Sequence, residues 1–482
     1  MSSSHIGKYL KTVFAKIVDN FLLTVAVPFA TAAVIVAATT SRSDEFTTLL
    51  HSVSNTDVLS IGLLLGTAAV VAIMRRPRAV YLIDYACFRP PHTNRVPAAA
   101  FVEHVQHVSQ LTERSKRFLT RLYERSGLGE ETCVPLVGHY IDPAKYSKFE
   151  DGREEAQMAV FSAIDELFSK TRIAPQAIDI LVTNCSEFNP TPTFSDMVIN
   201  RYKMRSDIHH VHLSSMGCSA GLISVELVKN LLQAAPFGAN ALVVSTETLS
   251  GNPYLGNERP MLLPYCLFRM GGAAVLLSTS PTMARFRLRC IMRTLTAASD
   301  QSYQCIYKEE DDKGFTGVNL STDLVAVAAR TVKANITSIA PLVLPPSEKL
   351  LFAASFAARK LLNGRVKLYI PDFLSVFQHL CIHAGGRAVI DGVQRNFGLS
   401  DEKVEPSRMT LHRFGNTSSS SLWYELAYVE AKGRMYKGNQ VWMIGFGSGF
   451  KCNSAVWECI RPVHDAHGPW ANCIDRYPVH IP

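Results

Sequence analysis

A cysteine at position 218, a histidine at 383, an asparagine at 416 and a glycine-rich loop at 445–450 are the residues of this 482-residue chain whose types could work together. They lie in Met216-Gly217-Cys218-Ser219-Ala220-Gly221, Ile382-His383-Ala384-Gly385-Gly386, Gly415-Asn416-Thr417-Ser418-Ser419-Ser420-Ser421 and Gly445-Phe446-Gly447-Ser448-Gly449-Phe450. A thiol nucleophile, two hydrogen-bonding groups and a loop able to aim backbone N–H groups at an oxyanion amount to acyl transfer through a thioester. Taken singly, each has a plainer reading: an inert buried thiol, a satisfied core histidine, a helix-capping asparagine, a structural turn. Jointly the chemical reading is favoured. No carboxylate or second histidine stands beside the cysteine in sequence to activate water, so the set suits condensation better than hydrolysis.

The elements that must carry these groups can be read from apolar patterning. Leu222, Val225, Val228 and Leu232 share one helical face after Cys218, and Gly217 permits a sharp turn just before. A thiol at such a helix N-terminus is expected to feel the dipole and have its pKa lowered. Apolar runs at Val80–Phe88, Ile178–Val182, Ala241–Ser245, Ala274–Leu277, Val366–Ile370 and Val441–Phe446 read as strands. Helices are expected at Glu154–Lys170, over 103–130, and from Phe373 to about Cys381. Strands alternating with helices predict an α/β core. Arg285, Arg287 and Arg289 alternate with Phe286, Leu288 and Cys290, predicting a strand with one solvated basic face.

Ahead of this body, Phe21–Thr40 is free of charge and long enough, at about 1.5 Å per residue, to cross a hydrocarbon core. A shorter apolar run, Val58–Met74, ends at Arg75, Arg76 and Arg78. Lysines 8, 11 and 16 before the first run, and the arginines after the second, predict a transmembrane hairpin with both ends cytosolic. The expected organisation is therefore a membrane hairpin over 1–78 (spans about 21–40 and 58–74), then halves over 79–280 and 281–482.

Composition narrows the partners. The net charge of +8 suits an anionic membrane surface or a phosphate-bearing substrate. There is no long basic run, zinc-finger pattern or basic helix, so nucleic acid is excluded as a partner. Eleven scattered cysteines read as reduced packed thiols, and none stands at metal-ligand spacing, so neither disulfides nor a metal is expected. Nor is there a nucleotide-binding loop.

Longer strings carry a resemblance. Asn184-Cys185-Ser186-Glu187-Phe188-Asn189-Pro190-Thr191-Pro192, Phe268-Arg269-Met270-Gly271-Gly272-Ala273-Ala274, Leu411-His412-Arg413-Phe414-Gly415-Asn416-Thr417, Leu422-Trp423-Tyr424-Glu425-Leu426-Ala427-Tyr428 and Gly447-Ser448-Gly449-Phe450-Lys451-Cys452-Asn453-Ser454-Ala455-Val456-Trp457 resemble the plant 3-ketoacyl-CoA synthases. These are the condensing enzymes of very-long-chain fatty acid elongation. The resemblance implies a thiolase-like α/β fold of two similar halves in alternating helix and sheet layers. It implies Cys218 as nucleophile with His383 and Asn416 as catalytic partners, N–H groups of Cys218 and Gly449 as the oxyanion hole, and His379 and His412 as supports. It further implies an acyltransferase that takes long-chain acyl-CoA and malonyl-CoA as substrates without a cofactor. A homodimer in the endoplasmic reticulum membrane, its catalytic body facing the cytosol beside the elongase reductases and dehydratase, is the implied setting.

Two departures from the family pattern stand out. His212-Leu213-Ser214-Ser215 replaces Asn-Leu-Gly-Gly ahead of the nucleophile, and Leu295-Thr296 replaces His-Lys in the segment Arg293–Asp300. Two rival readings stay open on the sequence. One is a papain-like cysteine hydrolase. The other is a weakly active or inactive paralogue that binds and modulates the elongase.

Overall fold

Within the segment Asn240–Glu247, Ala241 and Val243 face one side, Leu242 and Val244 the other, and all four are buried. A strand that is apolar on both faces must be covered on both, as in sheets held between helix layers. The computed structural model describes residues 77–139, 148–250, 253–361, 367–463 and 468–481. Its first part contains β1 (Tyr81–Cys87), α1 (Ala98–His107), α2 (Glu113–Arg125), α3 (Phe149–Thr171), β2 (Ile180–Cys185), α4 (Phe194–Tyr202) and β3 (His209–Ser214). A 3-10 turn at Gly217–Ser219 then leads into α5 (Ala220–Ala234), β4 (Asn240–Glu247), α6 (Arg259–Leu267) and β5 (Gly271–Ser278).

The second part begins with β6 (Phe286–Leu295), a short helix α7 (Asp300–Tyr303), the separate hairpin β7 (Ile306–Glu310) and β8 (Thr316–Leu320), and α8 (Leu324–Val343). After α9 (Pro346–Leu361) come β9 (His379–Ile382), α10 (Arg387–Phe397), α11 (Asp401–Phe414), a 3-10 turn at Ser418–Ser420, α12 (Ser421–Ala431), β10 (Gln440–Gly447) and β11 (Lys451–Cys459). The chain divides into two compact units, one of residues 79–342 and 377–482 and one that includes 343–376. In the latter, Ser355 Oγ accepts from the Tyr369 amide and Tyr369 donates to Glu348, which ties the chain after α9 back onto that helix.

In the larger unit the strand order is β3-β2-β4-β5-β1-β6-β11-β10-β9. β2 runs parallel to β4, β4 antiparallel to β5, and β5 antiparallel to β1. The same relations recur as β9 parallel to β10, β10 antiparallel to β11, and β11 antiparallel to β6. Helices α5 and α12 occupy the centre, where Leu222, Val225 and Val228 of one and Trp423, Leu426 and Tyr428 of the other join a single core with strand residues from both parts. α3 covers the opposite face of β4 and β5. On the far side α8 is anchored by Asn335, whose amide reaches the Met292 and Cys452 carbonyls of β6 and β11.

Most sequence-expected elements fall where the pattern put them, with four differences. Phe373–Val376 is only a 3-10 turn, and Leu380, Cys381 and Ile382 form a strand because they are buried against β10. Residues 367–370 form no strand. The stretch 103–130 is broken into α1 and α2, Thr112 capping the second with its side chain. Arg285 is not solvated: its side chain is 1% exposed and paired with Asp84 and with Glu430, at 2.5 Å to the latter. The pair Leu82↔Phe286 brings β1 against β6 there, and a buried guanidinium is tolerable only when so paired. The expected spans 21–40 and 58–74 lie outside the described residues. Among the described residues no helix is long and apolar enough to cross a membrane.

Candidate active site

Cys218 is presented by the turn that links β3 to α5, and close approach of other backbones fixes that turn. Gly217 takes φ +67°, and a Cβ there would meet the Ser448 amide nitrogen at 2.8 Å. Its own N–H donates to Ser186 Oγ at 3.0 Å. A Cβ on Gly447 would meet the Met216 carbonyl at 2.7 Å, and one on Gly221 would overlap the Ser419 carbonyl. Glycine at these sites lets the end of β10 and the turn at Ser418–Ser420 approach the turn that carries Cys218. Ser215, where the resembling family carries glycine, holds φ +55° with a side chain in place.

His383 follows β9. Its amide donates to the Ile444 carbonyl at 2.9 Å, and its Nδ1 lies 2.7 Å from Ser421 Oγ, so Nε2 is the ring nitrogen left for another partner. Gly385 packs on this ring, with a virtual Cβ 3.0 Å from Nε2. Asn416 is held by backbone bonds to Leu267 and Arg269. Its Nδ2 donates to the Gly385 carbonyl at 3.1 Å, and its Oδ1 accepts from the Ser418 amide at 2.8 Å. One glycine thus packs against the imidazole and receives the amide.

Cys218, His383, Asn416 and Gly449 all line one cavity of about 1080 Å³, just above the usual range for ligand pockets. Apolar groups such as Phe101, Met261, Leu267, Phe268, Val318 and Leu320 form much of its wall. Tyr254 is fixed in that wall at its far end, accepting from the Glu258 amide at 2.9 Å and donating to Asp311 at 2.8 Å. Gly449 has φ +120° in the loop between β10 and β11. Thr296 pins that loop by donating from its amide and hydroxyl to the Phe450 carbonyl, at 2.9 and 3.0 Å. Thr296 and the 60%-exposed Leu295 stand where the family pattern has lysine and histidine.

The electrostatics differ from expectation at Cys218. Although part of Cys218 opens onto the cavity, burial pushes its thiol up to about 12, with a hydrogen bond from Ser418 opposing and the Glu247 charge adding. A helix dipole is worth about 1 kcal/mol, too little to offset that burial. Burial also pushes His383 down to about 4, so its imidazole is neutral at physiological pH. The resting site is therefore a neutral thiol beside neutral donors.

The two histidines expected as supports are placed differently. His379 sits at the start of β9, 3.1 Å from Asn439 Oδ1, and His412 packs on Tyr477 with Nδ1 3.1 Å from its hydroxyl. Neither lines the cavity. Conversely, Glu247 and Ser418 do line it, and sequence reasoning passed over both. The available signal was a carboxylate ending the apolar run of β4, in Ser245-Thr246-Glu247.

Comparisons with known proteins place the chain in a family. Residues 72–361 match the model of the FAE1/Type III polyketide synthase-like proteins, and residues 375–459 that of the 3-oxoacyl-[acyl-carrier-protein] synthase III C-terminal region. The chain is 52% identical over its full length to 3-ketoacyl-CoA synthase 6 of Arabidopsis thaliana, covering 97% of that protein. It is 50% identical to 3-ketoacyl-CoA synthase 5 of the same plant, with 100% of this chain and 98% of that protein covered. Among solved structures, a fungal type III polyketide synthase, ORAS, superposes with a TM-score of 0.60 at 16% identity, over 79% of this chain and 99% of that one. PKS-I from the brown alga Ectocarpus siliculosus gives 0.62 at 17% identity, over 79% and 98%. The shared fold is that of the thiolase-like condensing enzymes. This chain belongs to the 3-ketoacyl-CoA synthase family of condensing acyltransferases, which carry out the carbon–carbon bond-forming step of very-long-chain fatty acid elongation.

Proposed function

We propose that this chain joins a long-chain acyl group to a two-carbon unit from malonyl-CoA at Cys218. The Cys218 sulfur attacks the acyl-CoA carbonyl, the N–H groups of Cys218 and Gly449 receive the oxyanion, and coenzyme A leaves. Each such donor is worth roughly 3 kcal/mol of barrier. Malonyl-CoA then loses carbon dioxide. With Ser421 donating to Nδ1 of His383, the Nε2–H and the Asn416 Nδ2–H hold the enolate oxygen. The carbanion attacks the acyl-enzyme, the Cys218 sulfur leaves, and a 3-ketoacyl-CoA two carbons longer is released. The observation that carries this reading is one large apolar cavity onto which a thiol, a neutral imidazole and a primary amide converge. Neutral donors suit an enolate formed by decarboxylation, since no base is needed to make it.

The same proposal extends to the setting. Residues 1–78 form the membrane hairpin in the endoplasmic reticulum, with 79–280 and 281–482 as the catalytic halves on the cytosolic side. Homodimerisation and the elongase reductases and dehydratase complete it. The charge-free run at 21–40 and the flanking lysines and arginines support the orientation.

The test is expression in membranes lacking other condensing enzymes, with labelled malonyl-CoA and acyl-CoAs of graded length, beside Cys218→Ala. Cys218-dependent two-carbon extension with carbon dioxide release is expected, and the best primer reports chain-length preference. Hydrolysis without carbon dioxide release would point to a hydrolase. A folded, inserted protein that extends no primer would be a modulatory paralogue.

A further inference from the structure

Of the 16 residues of α9, Ser347 alone is buried. Between Lys349 and Arg359 the helix reads Leu-Leu-Phe-Ala-Ala-Ser-Phe-Ala-Ala, nine residues without a charge. Leu350 is 51% exposed, Phe356 55% and Leu361 82%, and Phe352 and Ile370 are exposed as well. The Phe352 and Phe356 rings, one turn apart, stack at 6.3 Å. Single exposed apolar side chains are ordinary, but a run of them along one helix marks a surface that something covers. Glu348, the one acid of the helix, accepts from the Tyr369 hydroxyl, and the Tyr369 amide bond to Ser355 keeps Ile370 beside α9.

The cations indicate what covers it. Lys349 lies in the first turn and Arg359 and Lys360 in the last, and none of the three pairs with a carboxylate among the described residues. Lys349, Phe356 and Lys360 are spaced i, i+7 and i+11, which is one helical face. A protein partner laid over Phe356 would desolvate both ammonium groups, and lysine is depleted from such interfaces. A bilayer takes the ring below its headgroups while lysine stems at the helix ends bend back to the phosphates. Nine uncharged residues at about 1.5 Å each reach roughly 14 Å, under half of a hydrocarbon core. The helix is therefore too short to cross and suits the plane of the interface. We propose that α9 is an in-plane membrane helix, with Leu350, Phe352, Phe356 and Leu361 entering an anionic bilayer and Lys349, Arg359 and Lys360 holding lipid phosphates.

This contact goes beyond condensation and rests on the chain being anchored at a membrane through residues 1–78, so the experiment reads anchor and helix separately. Full-length Phe356→Trp is reconstituted in vesicles of phosphatidylserine and phosphatidylcholine, the latter brominated near the headgroup or near the chain ends. The four native tryptophans are all buried, so the added indole reports on α9. Bromine near the headgroup should remove at least about half of the added emission, and bromine at the chain ends less. Lys349→Glu with Lys360→Glu in the same chain should weaken that quenching. Stronger quenching from the chain ends overturns the in-plane reading in favour of a deeper segment. Blue-shifted emission without quenching means that protein covers the helix, and red emission without quenching leaves it in water; either overturns the proposal. Quenching untouched by the two charge reversals overturns the role of the lysines. Alkaline extraction reads the anchor: a chain stripped from the vesicles overturns the hairpin alone if the indole was quenched, and both if it was not.

Discussion

Two short 3-10 turns, Gly217–Ser219 before α5 and Ser418–Ser420 before α12, occupy corresponding places in the two parts of the sheet. Each leads into a central buried helix, each opens on a residue of positive φ (Gly217 at +67°, Ser418 at +53°), and the two pack against one another. Yet the second residue of the first turn is Cys218, open to the cavity, while its counterpart Ser419 is buried and donates to Asn184 at 2.7 Å. One copy of the device presents a thiol to the cavity. The other is spent on holding Asn416, His383 and the helix pair in place, with Ser421 orienting the imidazole. A duplicated scaffold can thus divide attack and positioning between its halves.

The division is broken most severely at Cys218. Cys218→Ala should abolish condensation, a loss of at least about 10³-fold, while Ser419→Ala should keep most activity and cost about 1 kcal/mol of stability for its lost hydrogen bond. Labelled malonyl-CoA assays and denaturant titrations check the two arms.

The halves should also differ in their response to acid. Burial holds His383 at about 4 against an ordinary 6.5, so between those values the unfolded chain binds the extra proton. Stability should therefore be fully present above pH 6.5 and fall by roughly 3 kcal/mol on acidification to 4. The denaturation midpoint of His383→Gln should lose that slope, whereas Cys218→Ala should retain it.

Gly221→Ala drives a methyl group into the Ser419 carbonyl and wedges the two turns apart. A loss of about 1–3 kcal/mol in thermal unfolding is expected, with a fall in condensation beyond it. The smallest effect concerns the strained serines. Ser215→Gly should stabilise the protein by about 1 kcal/mol at unchanged turnover, because glycine adopts the left-handed conformation without penalty.

Much of this was legible in the sequence where one residue type has few other uses. The runs that became β2, β4, β5 and β10 were readable because strands buried on both faces leave uninterrupted apolar strings. Cys218, His383 and Asn416 were each marked by glycine or small residues needed for close approach. Glu247 showed in the sequence only as a carboxylate closing an apolar run, because residues 186, 187 and 418 meet it only in space. Arg285 misled for the same reason: alternation placed it on a basic face, and only the fold brings Asp84 and Glu430 to it. The thiol's charge state was misjudged because a helix end is visible in sequence and burial is not.

The turn at Ser418–Ser420 packs against the turn that carries Cys218 from 200 residues further along the chain. At about 5–20 residues per second, a ribosome delivers that cover roughly 10–40 s after the cysteine itself. For that interval the growing chain carries a thiol that its own second half has not yet enclosed. Side reactions of that thiol before folding have that interval in which to occur, and slow translation between the halves would widen it.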